Sequence, residues 1–183
     1  MMKRIGFLLL ALLVCLSLFA CSKKDGDVPQ GYLDAGTEGV NYRFFYPDTW
    51  QLDRSDPGMT SVYYSETDFS NVSVTAFTAD PRYKTASEYA ENYYFEHFAD
   101  NFNNLEVEKN QDGTIKLHSK EVGGSEGVYA EYAAVFAGEM YRFRSYFTIY
   151  NGEVYTVTYT AKADVFTSHT EAVTGMVEQM RFQ

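Results

Sequence analysis

Cys21 is the residue of this 183-residue chain whose surroundings most directly predict covalent chemistry. It ends residues 18–21 (Leu-Phe-Ala-Cys), which follow a basic tip at Lys3 and Arg4 and a long apolar stretch. A positive tip, an apolar run of about 7–15 residues and a small residue before the cut make a secretory signal. A cysteine directly after the cut is the layout of a lipobox, so we expect the Cys21 thiol to carry lipid.

The alternatives for this segment are an ordinary secretory peptide or a transmembrane anchor. A membrane span needs about 20 apolar residues, and the run is shorter than that before residues 22–24 (Ser-Lys-Lys) end it. We therefore expect residues 1–20 to be a lipoprotein signal peptide and residues 21–39 to be the lipidated cysteine and a flexible tether. Residues 40–183 would form a single domain, held at the cell membrane by its lipid on the extracytoplasmic side.

The chain offers few other groups for catalysis or metal binding. Its second cysteine, Cys15, would leave with the signal, which excludes intrachain disulfides, thiolate metal sites and cysteine nucleophiles. His97, His118 and His169 lack the spacing of a ligand pair, and neither a nucleophile elbow nor a phosphate loop is present. We expect no catalytic residue, no metal site and no cofactor, and we predict that the protein is not an enzyme.

Two arginines form the candidate polar cluster of the chain. Arg142 and Arg144 alternate on one predicted strand and therefore share a face, with Tyr159 opposite Arg144 on the next strand. The guanidinium groups could pair with acids or stack on the Tyr159 ring. We take these three residues as the candidate contacts for a ligand or a partner.

The charge balance limits the classes of partner. The chain has 15 Lys and Arg against 25 Asp and Glu. Loss of Lys3 and Arg4 with the signal leaves 13 against 25, a formal net charge of −12. Nucleic-acid binding needs a basic face and is excluded. Repulsion by anionic lipid heads predicts that the domain stands off the bilayer.

Turn signals place the candidate cluster on a β-meander. Asn151-Gly152 predicts a two-residue hairpin turn between strands 140–150 and 153–162, so that partner numbers sum to 303. Residues 137–139 (Ala-Gly-Glu) predict the turn before it, after a strand at 128–136. Asp112-Gly113 predicts a hairpin between residues 105–108 and 115–120. Both faces of the meander are apolar, which predicts cover on both sides.

Two helices are predicted to supply part of that cover. Thr85 and Glu88 form a capping box, and the helix that it begins carries an aromatic stripe. A second helix is predicted from about Asp164 to Met180, with its own apolar stripe. The 16 Tyr and 14 Phe of the chain are then packing residues, or else they form a surface that stacks on a ligand.

Several segments resemble the PsbP-like superfamily over most of residues 40–182. They are residues 42–50 (Tyr-Arg-Phe-Phe-Tyr-Pro-Asp-Thr-Trp), 72–74 (Val-Ser-Val), 85–89 (Thr-Ala-Ser-Glu-Tyr), 154–159 (Val-Tyr-Thr-Val-Thr-Tyr) and 180–182 (Met-Arg-Phe). The resemblance implies an α+β fold, a central antiparallel β-sheet with helices packed on both faces in an α/β/α sandwich. It also implies a non-enzymatic accessory or binding protein, and it transfers no metal or partner residues.

Two functions remain open at this point. The first is a membrane-anchored, non-catalytic accessory domain that binds a protein partner. The second is a lipoprotein that binds a small molecule in an aromatic pocket between sheet and helix. A deep pocket holding Tyr and Arg side chains would favour the second.

Overall fold

The computed structural model describes residues 28–56, 58–99, 102 and 104–183. The predicted signal peptide, the lipidation residue Cys21 and the first part of the predicted tether lie outside the described residues. Among the residues that are described, no helix is both long and apolar enough to cross a membrane.

The chain is mostly β-sheet, with two helical regions. The strands are β1 (Tyr32–Asp34), β2 (Tyr42–Arg43), β3 (Phe45–Pro47), β4 (Gln51–Asp53), β5 (Thr60–Tyr63), β6 (Asn71–Thr78), β7 (Glu106–Val107), β8 (His118–Ser119), β9 (Gly127–Phe136), β10 (Glu139–Tyr150), β11 (Glu153–Lys162) and β12 (Arg181–Phe182). Helix α1 has three consecutive segments: α-helical Ala86–Tyr89, π-helical Ala90–Tyr94 and α-helical Phe95–Ala99. Helix α2 spans Thr170–Gln179 after a 3-10 turn at Phe166–His169.

Eight strands form one antiparallel sheet in the order β4-β5-β6-β11-β10-β9-β7, with β8 also paired to β9. The predicted register of β10 and β11 is confirmed, because Tyr150 lies opposite Glu153 and Arg144 opposite Tyr159. Asn151 and Gly152 have φ values of 49° and 80°. These left-handed values are those of a two-residue hairpin turn, which fixes the register of both strands.

The predicted helices are present, with different lengths and regularity. The Thr85 hydroxyl accepts a hydrogen bond from the Glu88 N–H, and the Glu88 carboxylate accepts one from the Thr85 N–H, as the capping box requires. Helix α1 is interrupted by its π-helical turn. Helix α2 buries the predicted apolar stripe, and Val173, Met176 and Val177 are inaccessible to solvent.

Two apolar clusters lie on opposite faces of the sheet because side chains alternate along each strand. One cluster joins α1 to β9 and β10 and includes Tyr89, Phe143 and Phe147. The other joins α2 to β6, β10 and β11 and includes Tyr146 and Tyr159. Cover on both sides of the sheet follows from these clusters.

The predicted α/β/α sandwich is confirmed only in its coarser features, a large antiparallel sheet and two helices. Much of the cover on the α2 side comes from the irregular β1–β4 region, whose Phe44 and Trp50 are buried in that cluster. On the other side, α1 is short and broken. The sheet is therefore not clearly sandwiched between two layers of helices.

Three local predictions are corrected. Folded structure begins before residue 40, the predicted start of the domain, because β1 pairs with β3 and Ala35 is 1% exposed. The turn between β9 and β10 has two residues, since Glu139 already pairs with Phe136. Residues 105–120 form only a short hairpin at the predicted Asp112-Gly113 turn, where the Lys116 N–H donates to the Glu108 carbonyl at 2.9 Å, whereas β7 and β8 each pair with β9 and not with each other.

Candidate functional site

One carboxylate holds both arginines of the candidate cluster. Glu131 accepts a hydrogen bond from Arg142 Nη2 at 2.7 Å, from Arg144 Nε at 2.9 Å and from Arg144 Nη2 at 2.5 Å. The side chains of Glu131 and Arg144 are 15% and 17% exposed, and that of Arg142 is 36% exposed. Two guanidinium groups on one carboxylate leave the cluster with one net positive charge.

Strand register brings these three side chains together. The two-residue turn at Ala137 and Gly138 places Glu131 directly opposite Arg144 in β9 and β10. Arg142 lies two residues along β10 from Arg144 and therefore points to the same face. Opposite charges on facing strands stabilise a sheet, so the cluster also contributes to the pairing of β9 and β10.

Phe166 forms the apolar floor beneath the arginines. The Arg142 Cζ atom lies 4.5 Å from the centre of the Phe166 ring, and the Arg144 Cζ atom lies 5.8 Å from it. Tyr159 stacks on the same ring at 4.9 Å and donates a hydrogen bond from its hydroxyl to the Phe166 carbonyl at 2.8 Å. The structure thus gathers all three predicted site residues around Phe166.

Exposure separates the roles of these residues. Tyr159 is fully buried, and burial raises the pKa of its hydroxyl to about 12. Burial by itself would lower the pKa of Arg144, but hydrogen bonds to Tyr146 and Glu131 raise it above its ordinary value. Both groups keep their protons at neutral pH. Tyr159 can support the site from below, whereas Arg142 is the member that a partner can reach.

The cluster contributes side chains to two open grooves. A groove of about 570 Å³ next to helix α2 includes Arg144, Glu171 and Glu178 in its lining. A smaller groove of about 260 Å³ includes Arg142 together with Glu106 of β7. Within the described residues, the Nε and Nη1 atoms of Arg142 have no hydrogen-bond partner. These donors are available to an incoming acceptor.

The three histidines do not come together. His97 stacks on Tyr93, and His118 stacks on Tyr129, at 4.2 and 4.7 Å between ring centres. His169 lies 2.8 Å from an Asp68 carboxylate oxygen, at the start of helix α2. No group of three His, Cys, Asp or Glu side chains in the described part of the chain is arranged to hold a metal ion.

Aromatic side chains fill the space between the sheet and helix α1. The Tyr132 and Phe143 rings stack with centres 4.9 Å apart, and Phe147 is fully buried beside them. The Tyr132 hydroxyl lies 2.8 Å from Ser145 Oγ and 3.1 Å from the Tyr94 hydroxyl. Burial raises the pKa of Tyr132 well above 10, so this hydroxyl stays neutral. The role of these aromatic side chains is to pack the core between the sheet and helix α1.

An open groove of about 600 Å³ lies at the outer edge of helix α1. Its apolar lining includes Phe95, Leu105, Val107 and Ile115. This volume lies within the range of about 300–1,000 Å³ typical of small-molecule sites. The groove has the size of a small-molecule site, but its lining contains one aromatic side chain, Phe95, and neither Tyr nor Arg, so it lacks the lining of the predicted aromatic pocket.

Sequence reasoning missed Glu131 and Phe166. The three-residue turn predicted at 137–139 shifts the pairing of β9 and β10 by one residue, which conceals that Glu131 faces Arg144. The Ala137-Gly138 pair is the signal that could have revealed this contact. Both residues have positive φ, 52° at Ala137, as a two-residue hairpin turn requires. Phe166 belongs to the predicted helix stripe, but no local pattern places it beneath β10.

The eight-stranded antiparallel sheet, the two helices and their packing define a PsbP-like α+β domain. Residues 30–182 match the model of the PsbP family, and the chain belongs to that family. A search of curated proteins finds no sequence match.

Solved structures share this fold at low sequence identity. Cyanobacterial PsbP (CyanoP) from Synechocystis superposes with a TM-score of 0.59 at 12% identity, covering 89% of this chain and 99% of that one. LpqN of Mycobacterium tuberculosis, described as involved in cell envelope biogenesis, gives a TM-score of 0.54 at 14% identity, covering 83% and 89%. The Ran-binding protein Mog1p of Saccharomyces cerevisiae gives 0.51 at 9% identity, covering 81% and 89%. These likenesses show the fold alone.

Proposed function

We propose that the protein is a membrane-anchored extracytoplasmic lipoprotein whose PsbP-like domain is a non-catalytic accessory module that binds a protein partner. Residues 1–21 support the anchor through their basic tip, apolar run and terminal cysteine. Family membership supports the accessory role. Mog1p is described as Ran-binding, so a domain of this fold can bind another protein.

The observation that carries the partner-binding proposal is the partly used guanidinium of Arg142. Glu131 engages one of its nitrogens, and the Arg142 side chain is 36% exposed where it lies over the Phe166 ring. Arginine forms strong bidentate hydrogen bonds with carboxylates. A carboxylate of the partner is the complementary group, and it would be bound beside two open grooves.

A charge-reversal pair tests this surface. Arg142→Glu should abolish capture of the partner from detergent-solubilised membranes, because it places two carboxylates side by side. Arg82→Glu is the matched control, since the Arg82 side chain is 73% exposed and pairs with Asp80 away from the site. Capture that survives Arg142→Glu as well as it survives Arg82→Glu would contradict the proposed surface.

A separate experiment tests the anchor. Cys21→Ala should abolish incorporation of a palmitate analogue and release the protein from the membrane fraction, because each buried CH₂ of the lipid contributes about 0.8 kcal/mol of membrane affinity. Equal labelling of the variant and the wild type would contradict lipidation at Cys21.

The groove beside helix α1 favours a second candidate function, the binding of a small apolar molecule. Ile115→Glu would place a charge in that groove, whereas Arg142→Glu would leave it intact. If the protein is a small-molecule carrier, the Ile115 variant alone should lose a ligand that co-purifies with the wild type. Loss of partner capture in the Arg142 variant alone would favour the first function.

A further inference from the structure

Exposed apolar side chains gather at one end of the large sheet. We call this surface the apolar end, and its members are Tyr64, Phe69, Val135, Phe136 and Met140. Phe69 is 71% exposed and Phe136 is 63% exposed. Large exposed apolar patches mark contact with a protein or a membrane.

The strand register shows that these side chains share one end. One row of cross-strand partners crosses the sheet: Tyr63, Asn71, Thr160 and Phe143. The loop 64–70 leaves the sheet beyond this row, since β5 ends at Tyr63 and β6 begins at Asn71. The turn between β9 and β10 projects in the same direction, because β10 begins before Phe143. Phe77 lies at the opposite end, where it pairs with Val154.

The N-terminal part of the described chain enters the fold close to this end. The Gly31 carbonyl accepts a hydrogen bond from the Asp48 N–H at 3.1 Å. Two residues later, the Trp50 ring contacts the Tyr64 ring with centres 5.7 Å apart. Residues 29–31 therefore lie near the apolar end.

This entry point limits how far the domain can move from a lipid on Cys21. Pro29 lies eight positions after Cys21, a link that spans at most about 28 Å when fully extended. A flexible tether that extended to residue 39, as the sequence predicted, would have allowed a much greater distance. The short link keeps the apolar end within reach of the bilayer to which Cys21 is attached.

We propose that the apolar end rests in the interfacial region of the lipid bilayer, so that the domain lies against the membrane. This inference rests on the proposed lipid anchor. Tyrosine favours the membrane–water interface, and phenylalanine on a membrane-binding surface enters the boundary between headgroups and acyl chains. Loop 64–70 and the β9–β10 turn would supply two separate contacts, which together fix the orientation of the domain.

The charges at this end suit zwitterionic lipid better than anionic lipid. Glu139 pairs with Lys162 at 2.7 Å, and Asp68 pairs with His169 at 2.8 Å. Glu66 and Asp164 add negative charge at the rim. The net charge of −12 therefore repels the domain from anionic lipid heads. Phosphatidylcholine has no net charge, so it does not repel the domain.

Tryptophan placed at two exposed phenylalanines distinguishes the ends of the domain. The full lipidated chain carrying Phe69→Trp or Phe77→Trp would be bound to phosphatidylcholine vesicles with brominated acyl chains, which quench tryptophan at short range. The native Trp50 is 3% exposed and gives both samples the same background. We expect several-fold stronger quenching and a blue shift for Phe69→Trp, with little change for Phe77→Trp.

Phe136→Trp provides an independent second probe and should also be quenched. A palmitate-analogue label on the same samples reports the anchor. Labelled protein whose Phe69→Trp and Phe136→Trp emissions are quenched no more than that of Phe77→Trp would overturn the inference and leave the anchor standing. Unlabelled protein that does not bind the vesicles would overturn the anchor and, with it, the inference.

Discussion

Replacing Glu131 by alanine should destabilise the domain more than any exposed ion-pair variant. The substitution leaves two guanidinium groups side by side on one face of the sheet, without the carboxylate that now accepts three hydrogen bonds from them. Removing one partner of a buried ion pair costs about 3–5 kcal/mol. Because Arg142 is 36% exposed and keeps much of its hydration, we expect a loss of about 2–3 kcal/mol in the free energy of unfolding.

Urea titration and thermal unfolding measure this loss. At about 2–4 °C per kcal/mol for a domain of this size, the thermal midpoint should fall by roughly 5–10 °C. Glu131→Gln keeps an oxygen acceptor and should lose about half as much. Raising the salt concentration from 0.1 to 1 M shortens the Debye length from about 10 to about 3 Å. The deficit of Glu131→Ala should then shrink, because salt screens the repulsion between the two arginines.

The control is Glu139→Ala, which removes an ion pair with Lys162 whose side chains are 53% and 51% exposed. Exposed pairs contribute less than about 1 kcal/mol. If Glu131→Ala proves no more destabilising than Glu139→Ala, the carboxylate does not hold the cluster together and the argument for the site is wrong.

Three further predictions use the same unfolding measurements. Burial would raise the pKa of Asp68, but hydrogen bonds from Ser70 and His169 lower it below its ordinary value. Its contribution is therefore present at neutral pH and lost as the pH falls through the lowered pKa. Asp68→Asn should cost about 1 kcal/mol at pH 7, and a penalty that persists in acid would contradict this assignment. Gly152→Ala should lower the free energy of unfolding by about 1–2 kcal/mol, because alanine is strained at a φ of 80°. The new methyl group would have no atom within 4 Å, so the loss would come from the backbone alone. An unchanged urea midpoint would refute this prediction. Treatment with a chelator should leave the thermal midpoint unchanged, and a clear drop would reveal a metal site.

Much of the candidate site could be predicted because short turns specify it locally. The Asn151-Gly152 turn fixes the pairing of β10 with β11 and so places Arg144 opposite Tyr159. The alternation of side chains along β10 then puts Arg142 on the same face. These relations involve residues close together in the sequence, and the geometry of the hairpin turn alone largely determines which of them face each other.

The errors arose where pairing depends on distant segments. Residues 105–120 carry a valid turn signal at Asp112-Gly113, but β7 and β8 are paired with β9 instead. A two-residue strand has little pairing energy of its own, and a longer neighbouring strand offers more partners. Likewise, β1 has no strong local signal, and its conformation comes from pairing with β3.

The sequence by itself determined the turns, the capping box, the apolar stripes and the residues expected to carry lipid or charge. The tertiary structure decided which distant groups meet: Glu131 with two arginines over Phe166, and Asp68 with His169, 101 residues apart. It also decided that exposed apolar side chains from loop 64–70 and from the adjoining ends of β9 and β10 share one end of the sheet. The physical reason is that side chains alternate with period two. A slip of one residue between strands exchanges the faces, so such encounters depend on the register of the whole sheet.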